Sequence, residues 1–204
     1  MVTKKHTIII LTILYLSLFV GIYINEDLIG GAFNDYKGLF YVSEKFRYDF
    51  FYTFYNYDEL GHRQSPFFYI LRSILPSNEI FQRLFFLHIF LITPLFFYKS
   101  LKKVFKTVPK NNLKLLAFLL LLFPTFRSYS IWSDPHLLGM SFFTISIYFF
   151  LKFKENKEVL KNSLLNIIFL ALSAYSSPNF GIFVIYFFYE FYLRFGISKR
   201  LLII

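Results

Sequence analysis

Three carboxylates lie close together in the sequence, directly after its first apolar segment. They are Glu26, Asp27 and Asp35. A carboxylate can accept the proton of a hydroxyl group while that oxygen forms a new bond, which is general base chemistry. Neighbouring negative charges also raise the pKa of one carboxyl group, which suits it to this task. The three acids are therefore candidate catalytic residues, and the structural alternative is that they only hydrate a loop.

Other polar side chains suit the binding of an anionic substrate. Arg63 and Arg127 carry the planar guanidinium that makes paired hydrogen bonds to phosphate, although arginines near a membrane also contact lipid headgroups. His62 adjoins Arg63, and Asp134 and His136 follow Arg127 closely. These five residues are the candidates for substrate binding.

The sequence gives little indication of a metal or cofactor. It contains no cysteine, and its four histidines include no pair at the i, i+4 spacing of a helical zinc site. We expect no cofactor, and the hypothesis of a divalent ion held by oxygen ligands stays open.

The composition indicates a membrane protein. Of the 204 residues 56% are hydrophobic, with 31 Phe and 16 Tyr, and the mean hydropathy is +0.52. A soluble domain of this length has too little interior for so many large apolar side chains. In a membrane chain the net charge of +10 indicates basic cytoplasmic loops, so we expect no nucleic-acid partner.

The apolar segments predict a single membrane domain over residues 1–204, an all-α, polytopic helix bundle. Residues 7–24 carry no charge and are long enough to cross the hydrocarbon core, which predicts an uncleaved anchor. The six predicted spans are 7–24, 80–98, 113–124, 136–151, 162–175 and 180–193. Residues 25–79 form a long outer loop, and residues 194–204 a cytoplasmic end.

The outer loop contains signals for short helices. Phe46, Phe50, Phe54 and Tyr57 recur at helical spacing, which predicts one helix in the membrane interface. Residues 65–75 are too short for an ordinary span and predict an interfacial or re-entrant helix, with Ser65 as N-cap and Pro66 in the first turn. Gly30 and Gly31 predict a turn or helix start.

The distribution of charge predicts the orientation. Six spans place 15 of the 22 basic residues on one side and 9 of the 12 acidic residues on the other. Because basic loops are retained in the cytoplasm, the N-terminus is expected there. The acidic loop, Arg63, Arg127, Asp134 and His136 then share the non-cytoplasmic face, where we expect them to converge.

These features resemble the membrane-embedded glycosyltransferases of the GT-C superfamily, especially the bacterial protein mannosyltransferase and rhizobial lipopolysaccharide glycosyltransferase groups. The shared features are one span followed by a long outer loop that begins with acids. Residues 62–69 (His-Arg-Gln-Ser-Pro-Phe-Phe-Tyr) and 127–134 (Arg-Ser-Tyr-Ser-Ile-Trp-Ser-Asp) are similar to the family's outer-loop segments. The chain departs from the family in having fewer spans and in lacking its common Asp-Glu form of the acidic motif.

The resemblance implies a function in the cell envelope. It implies transfer of a sugar from a polyprenyl-phosphate donor to a glycan, lipid or protein acceptor, at the outer face of the bacterial plasma membrane. Asp35, or else Asp27 or Glu26, would be the base, and Arg63 and Arg127 would contact phosphate. The alternatives are a non-catalytic membrane protein, such as a lipid-carrier transporter or assembly subunit, and an inactive, truncated N-terminal part of a glycosyltransferase.

Overall fold

The computed structural model describes residues 3–61, 65–156 and 158–198, which are helical and contain no β-strand. Within these ranges the chain forms eleven α-helices: α1 (Lys4–Tyr23), α2 (Gly31–Tyr48), α3 (Phe50–Tyr55), α4 (Phe67–Ser73), α5 (Glu79–Phe90), α6 (Ile92–Val104), α7 (Lys110–Phe118), α8 (Pro124–Ile131), α9 (Pro135–Lys154), α10 (Val159–Ser176) and α11 (Phe183–Phe195). Three 3₁₀ segments, Tyr57–Leu60, Leu119–Leu122 and Pro178–Ile182, connect some of them.

Four helices in the described ranges are long and apolar enough to cross a membrane. They are α1, the continuous pair α5–α6, α9 and α10. At a rise of 1.5 Å per residue, a 20-residue helix such as α9 extends about 30 Å, the thickness of the hydrocarbon core. A fifth crossing results if Lys110–Leu122 and α8, which meet at 67°, are counted as one bent span. The all-helical prediction is confirmed, with four or five such helices where six were predicted.

The last predicted span, 180–193, has a different structure. It begins with the 3₁₀ segment Pro178–Ile182 and continues as α11, which has 13 residues. A helix of that length extends about 20 Å, less than the hydrocarbon core. Phe187 and Phe191 of α11 pack on the ring of Phe150 in α9, with centroid distances of 4.8 and 6.3 Å. This segment is therefore attached to the bundle through aromatic contacts with α9.

The candidate spans run in two opposite directions, α1 and α10 in one and α5–α6 and α9 in the other, so their ends form two distinct groups. The C-terminal ends of α1 and α10 lie beside the N-terminal ends of α5 and α9, as shown by hydrogen bonds between Arg83 and Asn25 (2.8 Å) and between His136 and Ser177 (2.8 Å). We call this the acidic end, because the loop after α1 lies there. The other ends of α6 and α9 carry lysines and form the basic end.

Small and polar residues bring α9 and α10 into close contact. A Cβ atom on Gly139 would lie 2.8 Å from Cβ of Ser177, so only glycine fits this position without movement. The Ser173 hydroxyl donates to the carbonyl of Gly139 at 2.7 Å. Deeper in the pair, Asn166 Nδ2 donates to the Ser146 carbonyl at 2.9 Å. Such contacts replace the hydrophobic driving force that is absent between helices in lipid.

The outer loop contains three α-helices, α2 with 18 residues and the short α3 and α4. The predicted single interfacial helix is wrong in one respect, because α2 ends and α3 begins at Asp49. The Asp49 carboxylate accepts a hydrogen bond from the amide of Tyr52 at 3.0 Å and so caps α3. Phe46 is buried, whereas the Phe51 and Tyr55 side chains are more than 70% exposed. The predicted aromatic series therefore lies on three elements, with Phe46 in α2, Phe50 and Phe54 in α3, and Tyr57 in the 3₁₀ segment.

The start of α4 also differs from the prediction. Its N-cap is Pro66 rather than Ser65, and no side chain caps it. The Ser65 hydroxyl donates instead to the carbonyl of Tyr175 at 2.5 Å, which attaches the loop to the end of α10. The prediction for Gly30 and Gly31 is confirmed, because Gly30 is the N-cap of α2.

Candidate functional site

The backbone of the acidic loop is fixed where α1 ends. Asn25 is left-handed, with φ of 52°, and its amide donates to the Ile22 carbonyl while the Glu26 amide donates to Gly21. This pair of hydrogen bonds is the Schellman motif, and asparagine adopts the left-handed conformation more readily than other residues with a side chain. The motif directs Glu26 back across the end of α1.

Glu26 and Arg127 form a bidentate ion pair. The guanidinium donates from Nε to Oε1 at 2.8 Å and from Nη2 to Oε2 at 2.6 Å. Nη1 of Arg127 donates to the hydroxyl of Ser17 at 2.9 Å, so the pair is also attached to α1. The hydrogen bonds from Arg127 hold the pKa of Glu26 below its ordinary value. Glu26 is therefore not the carboxyl group whose pKa crowding raises, because a cation lies next to it.

The ion pair depends on close packing at Gly21. A Cβ atom there would lie 2.6 Å from Oε2 of Glu26 and 3.5 Å from Nη2 of Arg127. The absence of a side chain at this position gives the carboxylate its place beside α1. Both charged side chains are engaged, so neither is free to act as a base or to contact phosphate in this arrangement.

Asp27 is the second acid of the loop and is also partly engaged. Its φ is 64°, and its carboxylate accepts a hydrogen bond from the hydroxyl of Ser128 in α8. Its side chain lies against Gly30, where a Cβ atom would come within 2.2 Å of the carboxylate atoms. Asp27 is exposed to solvent, so it retains access to a ligand.

Asp35 has the most accessible carboxylate of the three acids. It lies on the second turn of α2, is exposed, and within the described ranges no hydrogen bond or ion pair engages its carboxylate. It lines an open cleft of about 580 Å³, which we call the carboxylate cleft. The cleft is lined by Glu26, Asp27, Gly31, Ala32, Asp35, Pro124, Thr125, Ser128 and Tyr129. Three acids and three hydroxyl groups thus face one space.

An apolar groove adjoins the carboxylate cleft. The groove has a volume of about 490 Å³ and shares Thr125 and Tyr129 with the cleft. Its other lining residues are Leu120, Phe123, Phe126, His136, Leu137, Met140, Ser177, Asn179 and Phe180. A ligand with a polar head and an apolar chain could therefore occupy both spaces at once.

Arg83 and Trp132 attach the acidic loop to the neighbouring helices. The guanidinium of Arg83 lies 4.0 Å above the centre of the Trp132 ring and donates to the carbonyl of Ile131 at 2.9 Å. Trp132 Nε1 donates to the carbonyl of Glu26 at 2.8 Å, and its ring packs on Phe33 at 4.6 Å. The start of α5, the end of α8 and the acidic loop are thereby joined.

Asp134 and His136 lie at the start of α9. The Asp134 carboxylate accepts from the amide of His136 at 2.7 Å, which makes it the N-cap of the helix. Asp134 is only 3% exposed, and burial raises its pKa to about 6. His136 Nδ1 is 2.8 Å from the hydroxyl of Ser177, and its ring lines the apolar groove. Both residues are at the acidic end, and the Asp134 carboxylate is engaged by the backbone amide of His136.

The remaining predicted residues, His62 and Arg63, lie outside the described residues. The structure brings together Glu26, Asp27, Asp35 and Arg127, and it places Asp134 and His136 at the same end of the bundle. In the described ranges, no three His, Asp or Glu side chains form a group that could hold a metal ion.

Several residues of the site were not predicted from the sequence. Ser128, Thr125 and Tyr129 line the cleft through their position on α8, and Trp132 supports the loop. The available signal was their spacing, since Ser128 and Tyr129 follow Thr125 by three and four residues and so share one face of a helix.

The chain was compared with family models, with curated proteins and with solved structures, and none of them matches it. The carboxylate cleft and the apolar groove are therefore the features of this chain that indicate a function.

Proposed function

We propose that this chain is a membrane glycosyltransferase that moves a sugar from a polyprenyl-phosphate donor to a hydroxyl group of a cell-surface glycan, lipid or protein. Asp35 is the catalytic base of this proposal. The donor's headgroup occupies the carboxylate cleft, and the first units of its isoprenoid chain occupy the apolar groove.

The observation that carries the proposal is the continuity of these two spaces. Thr125 and Tyr129 line both of them, and Asp35 faces the polar one with an accessible carboxylate. A substrate that is apolar at one end and sugar phosphate at the other requires such a pair of adjoining sites. A donor that reaches its site through the bilayer also accounts for a site at the end of membrane-crossing helices.

The reaction needs one base and one leaving group. The acceptor oxygen forms a bond to the anomeric carbon while the bond from that carbon to the phosphate oxygen breaks. Polyprenyl phosphate leaves with the bonding electrons, and Asp35 accepts the proton of the acceptor hydroxyl. Attack from the face opposite the phosphate inverts the anomeric configuration. General base assistance of this kind contributes about 10²–10⁴-fold to rate.

The other acids and the arginine have supporting roles. Asp27 is the second candidate base, because it is exposed and lines the same cleft. Glu26 neutralises Arg127, and a donor phosphate that contacts this arginine must compete with the Glu26 carboxylate. The hydroxyl groups of Thr125 and Tyr129 are the hydrogen-bond donors for a phosphate in the cleft, whereas the Ser128 hydroxyl already donates to Asp27.

The membrane arrangement of the proposal has six crossings. Four are the long apolar helices, and the fifth is the bent pair of Lys110–Leu122 with α8. The sixth comprises residues 178–195, in which the 3₁₀ segment adds about 10 Å to the 20 Å of α11. The basic end lies in the cytoplasm of a bacterial cell and the carboxylate cleft on the outer face of the plasma membrane.

The test is sugar transfer in vitro by the purified full chain in detergent, with polyprenyl-phosphate-linked sugars as donors and release of polyprenyl phosphate as the readout. Asp35→Asn is expected to lower the rate by about 10²-fold or more, as for loss of a general base. Asp58→Asn is the matched control, because Asp58 is an exposed acid of the same loop that does not line the cleft.

The Asp35→Asn, Asp27→Asn and double variants are each compared with the Asp58→Asn control. If all three transfer sugar at the control rate, neither Asp35 nor Asp27 is the base. Donor binding without transfer in the unmodified chain would favour a carrier-binding protein over an enzyme.

A further inference from the structure

Three lysines surround one tyrosine ring at the basic end. Lys99 and Lys103 of α6 have their Nζ atoms 5.9 and 5.6 Å from the centre of the Tyr148 ring, and Lys152 of α9 has its Nζ at 5.4 Å. Each lysine is partly buried. We call these four residues the Tyr148 cluster. It lies far from the carboxylate cleft, since Tyr148 is 14 positions along the chain from Asp134, the N-cap of α9.

The cluster has more positive charge than its carboxylates neutralise. Lys103 Nζ is 2.6 Å from Oε2 of Glu155. In the part of the chain that the structure describes, no carboxylate lies within ion-pair distance of Lys99 or Lys152. Like charges held together at the edge of a low-dielectric region repel each other strongly, so an additional anion between them is stabilising. Ring faces contribute a weaker attraction, with Lys99 Nζ 4.2 Å from the Phe96 ring.

The position of the cluster indicates the source of that anion. α6 is the last part of the candidate span Glu79–Val104, and Lys152 lies two residues before the end of the candidate span Pro135–Lys154. Side chains at the ends of spans lie at the depth of lipid headgroups, and basic pockets between such helices bind acidic headgroups. The Tyr148 hydroxyl adds a hydrogen-bond donor suited to a phosphate oxygen.

Ordinary contact of single lysines with the membrane surface does not account for this arrangement. Lys102 and Lys106 are basic residues of the same end, and they are exposed and contact no aromatic ring in the described structure. Lys99, Lys103 and Lys152 instead converge from two helices on one ring. Convergence from separate helices creates a site, whereas single exposed lysines provide only a diffuse field.

We propose that the Tyr148 cluster binds the phosphate of an anionic glycerophospholipid from the leaflet at the basic end. The lipid bridges α6 and α9, with its phosphate between Lys99 and Lys152 and its acyl chains in the bilayer. This binding requires only that the helices cross the membrane, so it is independent of the proposed glycosyltransferase activity and of which face is cytoplasmic.

The test compares lipid binding by full-length variants in nanodiscs of phosphatidylcholine alone or with phosphatidylglycerol added. The readouts are the thermal midpoint of unfolding and the lipid retained in native mass spectrometry. Lys99→Gln/Lys152→Gln is expected to bind phosphatidylglycerol about 30-fold more weakly than the unmodified chain. Each lysine near the membrane surface strengthens binding of an anionic lipid by roughly five-fold, and the variant lacks two of them. Lys102→Gln/Lys106→Gln, which removes the same charge from the same end, is expected to retain full binding.

Equal loss of phosphatidylglycerol binding in both double variants would overturn the proposal, because it would show a diffuse charge effect. The charge-conserving Lys99→Arg/Lys152→Arg variant is expected to retain binding, which separates loss of the site from loss of the fold. An arm with inorganic phosphate in detergent identifies the source of the anion. A thermal shift with phosphate as large as that with phosphatidylglycerol would exclude a lipid-specific site.

Discussion

Glu26 accepts two hydrogen bonds from Arg127, at 2.8 and 2.6 Å, across 101 residues of sequence. The two side chains are 33% and 14% exposed, so the pair is partly shielded from water. Two parallel hydrogen bonds between ionised groups are stronger than a single neutral one and fix the relative orientation of both side chains. The pair therefore holds the acidic loop against α8.

A double-mutant cycle with Glu26→Gln and Arg127→Gln is expected to give a coupling free energy of about 1–2 kcal/mol at neutral pH. The pKa of Glu26 is held below its ordinary value of 4.5, so this contribution is present at neutral pH and decreases as the pH falls through that range. Thermal unfolding in detergent measures both the coupling free energy and its dependence on pH. The exposed pair Lys161–Glu158 is the control and is expected to give a coupling below about 1 kcal/mol.

Asp134→Asn is expected to remove a pH-dependent loss of stability. Burial raises the pKa of Asp134 to about 6, so the folded state binds the proton more tightly than the unfolded state, whose pKa is near 3.8. The free energy of unfolding therefore falls as the pH rises from about 4 to 6, by up to roughly 3 kcal/mol. Asparagine retains the cap on the amide of His136 without titrating. Unfolding curves at pH 4 and pH 7 should differ less for the variant, and an unchanged difference would contradict the prediction.

The sequence predicted the elements of the site better than the connections between them. Long uncharged segments and the bias of basic residues were sufficient to predict the helical class, because burial in lipid imposes composition directly. The pairing of Glu26 with Arg127 depends on the packing of α1 against α8 and on the space at Gly21, which no local pattern encodes. Asn25 and Asp27 both adopt left-handed conformations that shape the loop, and charge and hydropathy do not predict these conformations.

The break in the outer-loop helix was missed for a related reason. The periodic aromatic residues continue across Asp49, and period alone does not show that an acid will cap a new helix instead of facing solvent. The span 180–193 was predicted from its apolar composition, although its first residues form a 3₁₀ segment after Pro178. The composition of this segment predicted that it is apolar and helical, but not that its helix begins with a 3₁₀ segment.

Arg83→Lys is expected to destabilise the protein by about 2–3 kcal/mol. Arg83 is only 2% exposed, and its guanidinium reaches the Ile131 carbonyl, the Asn25 side chain and the Trp132 ring at once. Lysine retains the charge but lacks the planar fork, so buried acceptors lose their donors. Thermal unfolding followed by tryptophan fluorescence reports the change directly, because Trp132 is the one tryptophan of the sequence. A variant as stable as the unmodified chain would show that these contacts contribute little.

Gly139→Ala is expected to destabilise the packing of α9 on α10 by about 1–3 kcal/mol, because its Cβ would lie 2.8 Å from Cβ of Ser177. Gly181→Ala is the matched control, since the nearest atom to a Cβ there is 3.8 Å away. The thermal midpoint of unfolding in detergent distinguishes them. Equal midpoints for the two variants would contradict the close approach at Gly139.

The sequence contains no cysteine, so single introduced thiols report topology without background. Asp58→Cys and Lys106→Cys are both at exposed positions, the first in the outer loop and the second at the basic end. A membrane-impermeant thiol reagent applied to intact cells is expected to label position 58 and to label position 106 only after lysis. Labelling of both positions in intact cells would contradict the placement of the outer loop and the basic end on opposite sides of the membrane.

The contacts of Arg83 impose an order on biosynthesis. Its partners Ile22 and Asn25 are translated before it, whereas Ile131 and Trp132 follow it by almost fifty residues. Until the ribosome has delivered that later segment to the bilayer, the nascent acidic loop lacks its tryptophan support and Glu26 lacks its arginine. The loop that emerges first is therefore completed only after α8 has been synthesised, and a nascent chain stalled before residue 131 would carry the acids without their final geometry.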